Sequence, residues 1–471
     1  MLSILAPILV FGLVVFVHEL GHFLAAKWLG VYAPRFSIGF GPALLRHRRG
    51  ETEYILAAFP LGGYVRMASR HDEETAFLEG GSESKAARRD DEPGYDPEAM
   101  IPFGPKPVPE HRWFESKPLW ARVIIMIAGV VMNVVLSIVV LAGLTFNLGR
   151  AVVPSTVIGM VDPIPAAPQL AQQLRAGDTI RAVDGSPVTT WNGVLDALEA
   201  ARGPEVVIAT NRGAARLPIG KGGTDPEAIA EAIQYRLPPV LDSVISDMPA
   251  ARAGLRSGDR IVGVDGSPVQ TWSELTRRVS ASPGRPVTFV IERGGARREL
   301  AITPESTKTA DFETGAERTE GRIGALPVDI SHRESVGVGE AIAFGWSQTW
   351  AMAGQVGGFL KRLVAGELSV RQLGGPVAIT TASVSAARSG WASLLQLIAF
   401  LSINVAVLNM LPIPILDGGQ IVLNVAETVK GSPFSMRTRE FILRFGLAAM
   451  ALLFLIVMYN DLTGLLGRLF D

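Results

Sequence analysis

His18-Glu19-Leu20-Gly21-His22 places two imidazoles and a carboxylate inside a run, Val15 to Leu24, that otherwise reads as membrane-spanning. On an α-helix, positions i and i+4 differ by about 40° of rotation, so both histidines share one face. That spacing suits two nitrogen ligands to one zinc ion, and Glu19 sits where it can take a proton from zinc-activated water. The alternative is a set of polar residues hydrogen-bonded at a helix end. Inside a span this alternative is the weaker one, because ionisable groups in lipid are costly and usually functional.

Two histidines leave a catalytic zinc one protein ligand short. The chain has no cysteine, so His, Asp or Glu must complete any metal site. His47, His71, His111 and His332 lie in loops with poor surroundings. Asp417, in "NMLPIPILDGGQ" (Asn409 to Gln420), is the better candidate. It ends another apolar block, where an isolated carboxylate meets the same energetic problem as His18. Pro412 and Pro414 break the helix there, and such breaks are tolerated at membrane depth where they line a cavity or are buried in protein. A simple interfacial turn is the competing reading of the same stretch.

The elements that must position these residues follow from hydropathy. The chain is 48% hydrophobic with a mean hydropathy of +0.29. The excess is concentrated in four blocks: Leu2 to about Leu29, Trp120 to Leu148, Ala392 to about Ile415, and Phe441 to Tyr459. Each is long enough to cross roughly 30 Å of hydrocarbon. The first lacks a basic leading region and a clear cleavage site before His18, so it reads as a retained span. Lys27, Arg35, Arg46, Arg48 and Arg49 follow it, and Arg112, Lys117 and Arg122 flank the second block. Lys430, Arg437 and Arg439 lie between blocks three and four. The positive-inside rule therefore puts both of these loops in the cytoplasm, and both termini and the large central segment outside. A net charge of -1 gives no sign of a nucleic-acid partner.

The central segment repeats. "LRAGDTIRAVDGSPVTTW" from Leu174 matches "LRSGDRIVGVDGSPVQTW" from Leu255 at an offset of 81 residues. The same offset aligns "RGAAR" at Arg212 with "RGGAR" at Arg293. Alternating Val/Ile strands, a D-G-S-P turn and a short helix make each copy a small α+β domain. "PAARAGLRSGDRIVGVDG" resembles PDZ domains. The first copy has "PIPAAPQLAQQLRAGD" instead, so its peptide groove is expected to differ or be closed.

"HELGH" in the first span, "NMLPIPILDGG" in the third and PDZ-like units between spans two and three together resemble the site-2 protease family of intramembrane zinc metalloproteases. The resemblance covers nearly the whole chain. It implies a polytopic α-helical membrane protein with four transmembrane helices and two α+β PDZ domains inserted between the second and third spans. The expected division is 1–30, first span; 31–119, cytoplasmic loop with a membrane-associated β-hairpin and a mobile acidic insert at about 68–108; and 120–148, second span. It continues with 152–235 and 236–305, PDZ domains; 336–390, amphipathic helices on the outer membrane face; 391–425, third span; and 441–460, fourth span.

By the same resemblance His18, His22 and Asp417 are zinc ligands and Glu19 is the general base. Asn404, Asn409, Pro412 and Pro414 bind or shape the substrate segment, and Gly62, Gly63 and Tyr64 belong to an edge strand that pairs with an unwound substrate. Asn133 matches the Asn of a G-P-x-x-N motif, here Gly129-Val130-Val131-Met132-Asn133 with Val in place of Pro. Substrate contact and a helix–helix hydrogen bond both remain open for it. "GGPVAI" (Gly374 to Ile379) matches a family element outside the membrane. The implied substrates are single-pass membrane proteins already trimmed outside, such as anti-sigma factors, and signal-peptide remnants. The implied location is the bacterial inner membrane, with the site near its cytoplasmic side. The PDZ pair is expected to select short ectodomains or bind new C-termini. Two other classes fit parts of the pattern: an inactive membrane-anchored PDZ adaptor or chaperone, and an ion transporter. Glu19 argues against a purely structural metal site, and the lack of an inverted repeat argues against the transporter.

Overall fold

The computed structural model describes residues 2–69, 95–164, 167–220, 223–310, 317–368, 370 and 373–470. Most of the acidic insert expected at about 68–108 lies outside these. The chain divides into two compact units, Met1–Leu148 with Val336–Asp471, and Gly149–Ser335.

The first unit is mostly helical: α1 (Leu2–Trp28), α2 (Leu119–Leu148), α3 (Val338–Val364), α4 (Pro376–Ser389), α5 (Trp391–Asn409), α6 (Asp417–Lys430) and α7 (Met436–Phe470). Among the described residues, four helices are long and apolar enough to cross a membrane: Leu5–Trp28, Leu119–Leu148, Trp391–Asn409 and Arg437–Thr463. Without a hydrophobic drive between helices in lipid, close association relies on small residues that let backbones approach. Gly21 of α1 is such a residue, since a Cβ there would lie 2.3 Å from the Ala128 carbonyl oxygen of α2. Val10 and Val14 of α1 pack with Ile398 of α5.

α3, the first of the helices expected on the outer membrane face, packs its small residues against α2. A Cβ at its Gly345 would lie 2.8 Å from the Ile138 carbonyl oxygen, and the Thr349 and Ser137 hydroxyls are hydrogen-bonded at 3.1 Å. Ser137 lies about 16 Å along the helix from Leu148, at 1.5 Å per residue. The small face of α3 descends along α2, and its Trp346 and Trp350 face outward.

Between α1 and α2, strands β1 (Arg35–Arg49) and β2 (Thr52–Arg66) form a ribbon that curls on itself. Ser37 pairs with both Tyr64 and Ile55, and bulges interrupt the register. The turn is tied to the rest of the unit by charge. Glu51 accepts from Arg112 Nη1 and Nη2, both at 2.9 Å, and from Lys27 Nζ. Tyr32 lies beneath the Arg112 guanidinium, and burial, reinforced by Glu51, pushes its hydroxyl up to about 12.

After Asn409 the helix stops, and residues 410–416 form tight turns, with Ile413 N–H donating to the Leu411 carbonyl and Leu416 N–H to that of Ile413, both at 2.8 Å. Proline explains the break, because Pro412 and Pro414 donate no backbone hydrogen bond. Gly418 and Gly419 explain the return. Cβ atoms there would lie 2.3 Å from the Met410 carbonyl oxygen and 2.0 Å from that of Ile413. Only glycine lets the first turn of α6 pack so closely on the segment before it. Gln420 Nε2 closes the loop by donating to the Pro414 carbonyl at 2.6 Å.

The second unit carries the repeat into three dimensions. Two four-stranded sheets, of 180–183, 186–187, 205–210 and 214–218, and of 260–264, 267–268, 287–293 and 296–302, have the same strand order. The helices Trp191–Ala200 and Trp272–Ser280 are N-capped by Thr190 and Thr271, which accept from Gly193 and Glu274 N–H groups. Asp184 and Asp265 adopt φ of 46° and 49° in the D-G turns and accept from Val207 and Thr288 N–H groups at 2.7 and 2.9 Å. The second copy runs past the expected boundary at 305. Leu241–Val244 pairs with Ala325–Pro327, and Ile323 belongs to the same core as Leu241 and Phe289.

One ion pair also recurs at the repeat spacing. Arg212 Nη2 donates to Asp178 at 2.6 Å, and Arg293 Nη2 to Asp259 at 2.7 Å. Burial alone would raise Asp259, but Arg293 and the Arg256 N–H together hold it below its ordinary value. A carboxylate lowered in this way stabilises the fold above its unfolded pKa of about 4, and that contribution is lost as pH falls toward the folded value. Arg293→Met leaves the buried carboxylate without its cationic partner, held only by the Arg256 N–H. It is expected to raise the pH at which this unit unfolds in acid, followed by tryptophan fluorescence or circular dichroism; an unchanged acid midpoint would contradict the assignment.

Candidate metal centre

α1 presents both imidazoles toward α2 and the start of α6. His18 and His22 are 7% and 8% exposed, edge-to-face, with ring centroids 4.7 Å apart. Their Nε2 atoms are 3.1 Å apart. Asp417, the first residue of α6, brings Oδ2 to 3.2 Å from His18 Nε2 and 3.5 Å from His22 Nε2. Yet this buried oxygen accepts no hydrogen bond. Ligands held tetrahedrally at about 2.0–2.1 Å from zinc are about 3.3 Å from one another. The three observed separations straddle that value, so the donor set fits a zinc ion bound through two nitrogens and one oxygen.

The surroundings fit the same reading. His22 Nδ1 donates to the Ile125 carbonyl at 2.8 Å, which leaves its Nε2 as the lone-pair atom. Gly129 of α2 lies against both rings, and a Cβ there would be 2.4 Å from His22 Nε2 and 2.8 Å from His18 Cε1. Glu19 lies on the cavity side, beside the ribbon. A Cβ at Gly63 would approach its Cγ to 3.0 Å.

A cavity of about 660 Å³ opens on these residues, lined among others by His18, Glu19, His22, Asn409 and Asp417. Gly62, Gly63 and Tyr64 line it from the ribbon, with Phe40 stacked on Tyr64 at a centroid distance of 6.3 Å. Gly62 has φ of +143°, and a side chain there would strike the Phe40 ring. Asn409 Nδ2 is 3.2 Å from His18 Nε2.

Four expected substrate residues lie elsewhere. Asn404 donates to the Phe400 carbonyl one turn back at 2.8 Å and is not among the residues lining the cavity. Pro412 and Pro414 do not line it either; Pro414 packs beside Gly446 of α7. Their part is to shape the chain so that Asp417 arrives. Asn133 is 0% exposed, behind His18, with Nδ2 3.3 Å from His18 Nδ1. It does not face the cavity, because α2 turns this side chain into the α1 contact. Gly129 and the Ile125 carbonyl were not legible as site groups from residue types alone. The available signal is their spacing of four and eight residues before Asn133 on one helix face.

Peptidase family M50 matches residues 6–453. The chain belongs to that family: it is a membrane zinc metalloprotease of the site-2 protease kind. A relative from Neisseria meningitidis whose name includes "zinc metalloprotease" is 32% identical, covering 99% of this chain and 100% of its own. The regulator of sigma-E protease RseP of Salmonella typhimurium is 31% identical over 99% of this chain and 100% of its own; that of Escherichia coli is 30% identical over 97% and 98%. With the membrane-spanning helices, these relatives mark the chain as a bacterial inner-membrane protein. A PDZ domain from an SdrC-like protein of Listeria monocytogenes is 26% identical, covers 20% of this chain and 90% of its own, and has a TM-score of 0.16.

Gly129→Ala drives a methyl group into the imidazole pair. It is expected to lower bound zinc per chain several-fold in the purified protein, by elemental analysis; full zinc occupancy would contradict the packing described.

Proposed function

We propose that this metalloprotease cleaves peptide bonds within membrane spans, with His18, His22 and Asp417 as zinc ligands and Glu19 as the general base. The observation that carries the proposal is the convergence of two buried imidazole nitrogens and an unsatisfied carboxylate oxygen at 3.1, 3.2 and 3.5 Å. Zinc held there would activate water and polarise the scissile carbonyl. Glu19 takes the proton at its carboxylate and passes it to the leaving amine. Its place as the second residue of H-E-x-x-H, next to the first ligand, supports that role.

A helical substrate hides its peptide groups in internal hydrogen bonds and must be extended before attack. The ribbon's Gly62–Tyr64 run lines the cavity and can add a substrate segment as a further strand. Asn409, within the same cavity, is placed to hydrogen-bond the extended backbone. The absence of side chains at Gly62 and Gly63 suits close backbone approach.

The substrates inferred are single-pass membrane proteins shortened on the outer side, such as anti-sigma factors, and remnants of signal peptides. The names of the Salmonella and Escherichia relatives, as regulators of sigma-E, support a part in envelope stress signalling. The two repeats are read as PDZ domains inserted between the second and third spans, where they would bind substrate chain ends. The recurring caps, turns and ion pairs support a common fold for both. Basic residues flanking the spans support a cytoplasmic ribbon, extracytoplasmic repeats and a site near the cytoplasmic side.

The deciding experiment expresses the wild type and Glu19→Gln with a truncated single-pass substrate. Glu19→Gln is expected to retain zinc but to lose cleavage by about 100-fold or more. Equal cleavage by both would refute this mechanism.

A further inference from the structure

Asn133 is wholly enclosed, and its Oδ1 has no hydrogen-bond partner. Its other end, Nδ2, faces His18 Nδ1 at 3.3 Å. His18 turns Nε2 toward His22 and Asp417. A neutral imidazole that ligates a metal through Nε2 carries its proton on Nδ1. Nδ1 is then a donor and needs an acceptor, whereas an amide nitrogen opposite it would set donor against donor. The two ends of an asparagine amide have the same shape, so neighbouring chemistry decides which end points where. Rotating the amide by half a turn brings its oxygen to the His18 proton.

We propose that Asn133 is a positioning residue whose side-chain oxygen accepts the His18 Nδ1 proton, fixing the tautomer and aiming Nε2 at the metal. It thereby pairs with the Ile125 carbonyl, which accepts from His22 Nδ1 at 2.8 Å. Ile125, Gly129 and Asn133 recur every fourth residue, on one face of α2. One face thus orients His22, leaves room for both rings and orients His18. The same residue ties in the third helix, because Ser402 Oγ of α5 donates to the Asn133 carbonyl at 2.9 Å. Helix-to-helix packing alone would not require a polar amide against the imidazole, and substrate contact would require exposure that Asn133 lacks.

The inference rests on the metal site proposed above, and its test separates the two. Zinc affinity is measured by chelator competition on the full chain in nanodiscs, for wild type, Asn133→Leu, Asn133→Asp and His18→Ala. Outer-shell partners of ligating histidines are typically worth 10–100-fold in metal affinity. Asn133→Leu, of similar size but without an acceptor, is expected to weaken zinc binding by about that factor, and Asn133→Asp to stay within about threefold of wild type. If Asn133→Leu binds zinc like wild type while His18→Ala does not, the positioning role is wrong and the site stands. If both Asn133 variants weaken zinc alike, packing and not the acceptor is at work, and the proposal again fails. If His18→Ala leaves zinc affinity unchanged, the site itself is misassigned. Nitrogen-15 spectra of labelled histidine in the zinc-loaded wild type supply a reading that does not depend on any variant folding: an unprotonated His18 Nδ1 would overturn the proposal.

Discussion

Two imidazole nitrogens and a carboxylate oxygen meet within 3.5 Å of one another in a buried site, and the oxygen accepts no hydrogen bond. Groups of this kind in a membrane region are tolerated only when something offsets their desolvation. A divalent cation does so for all three at once. Much of the local chain makes sense as a means of delivering them. Gly21 lets α1 and α2 touch at the backbone, and Gly129 leaves space for both rings. Pro412 and Pro414 end a helix that would otherwise carry Asp417 past the site. Gly418 and Gly419 then allow α6 to restart close enough to return it.

The site has two kinds of wall. Behind the imidazoles, α2 presents an enclosed face, with Asn133 and Ser137 both fully buried. In front, the ribbon offers backbone in place of bulk, with glycines at 62 and 63 and the Glu19 side chain close by. This asymmetry suits a protease whose substrate arrives as backbone. In the proposed mechanism the enclosed wall would fix the metal, and the ribbon would accept an extended segment through the hydrogen-bonding groups any sequence provides. The ribbon is itself anchored at its far turn, where Glu51 joins Arg112 and Lys27.

The residues of the proposed metal site were legible in the sequence because buried charge is conspicuous there. His18 and His22 declare themselves by spacing, and Asp417 by its place at the end of an apolar block broken by prolines. The repeat was legible because Asp178 and Asp259, with Arg212 and Arg293, recur at one offset. The remainder was hidden for physical reasons. Asn133 looks alike in sequence whether it faces a cavity or a histidine, since only the rotation of α2 against α1 decides. The packing of α3 on α2 was not legible, because Trp346 and Trp350 are the conspicuous residues of that helix. It is Ala341, Gly345 and Thr349, on a different face, that pack it along α2. The true end of the second repeat was hidden because the closing strand, Ala325–Pro327, is only three residues long and follows an intervening hairpin.

The central claim is that one zinc ion joins α1 to the restarted helix α6 through His18, His22 and Asp417. X-ray absorption at the zinc edge, on the purified full chain in nanodiscs, addresses it most directly. The account predicts two imidazole ligands with the remaining positions filled by oxygen, at about 2.0–2.1 Å. A zinc shell with fewer than two imidazoles would contradict it.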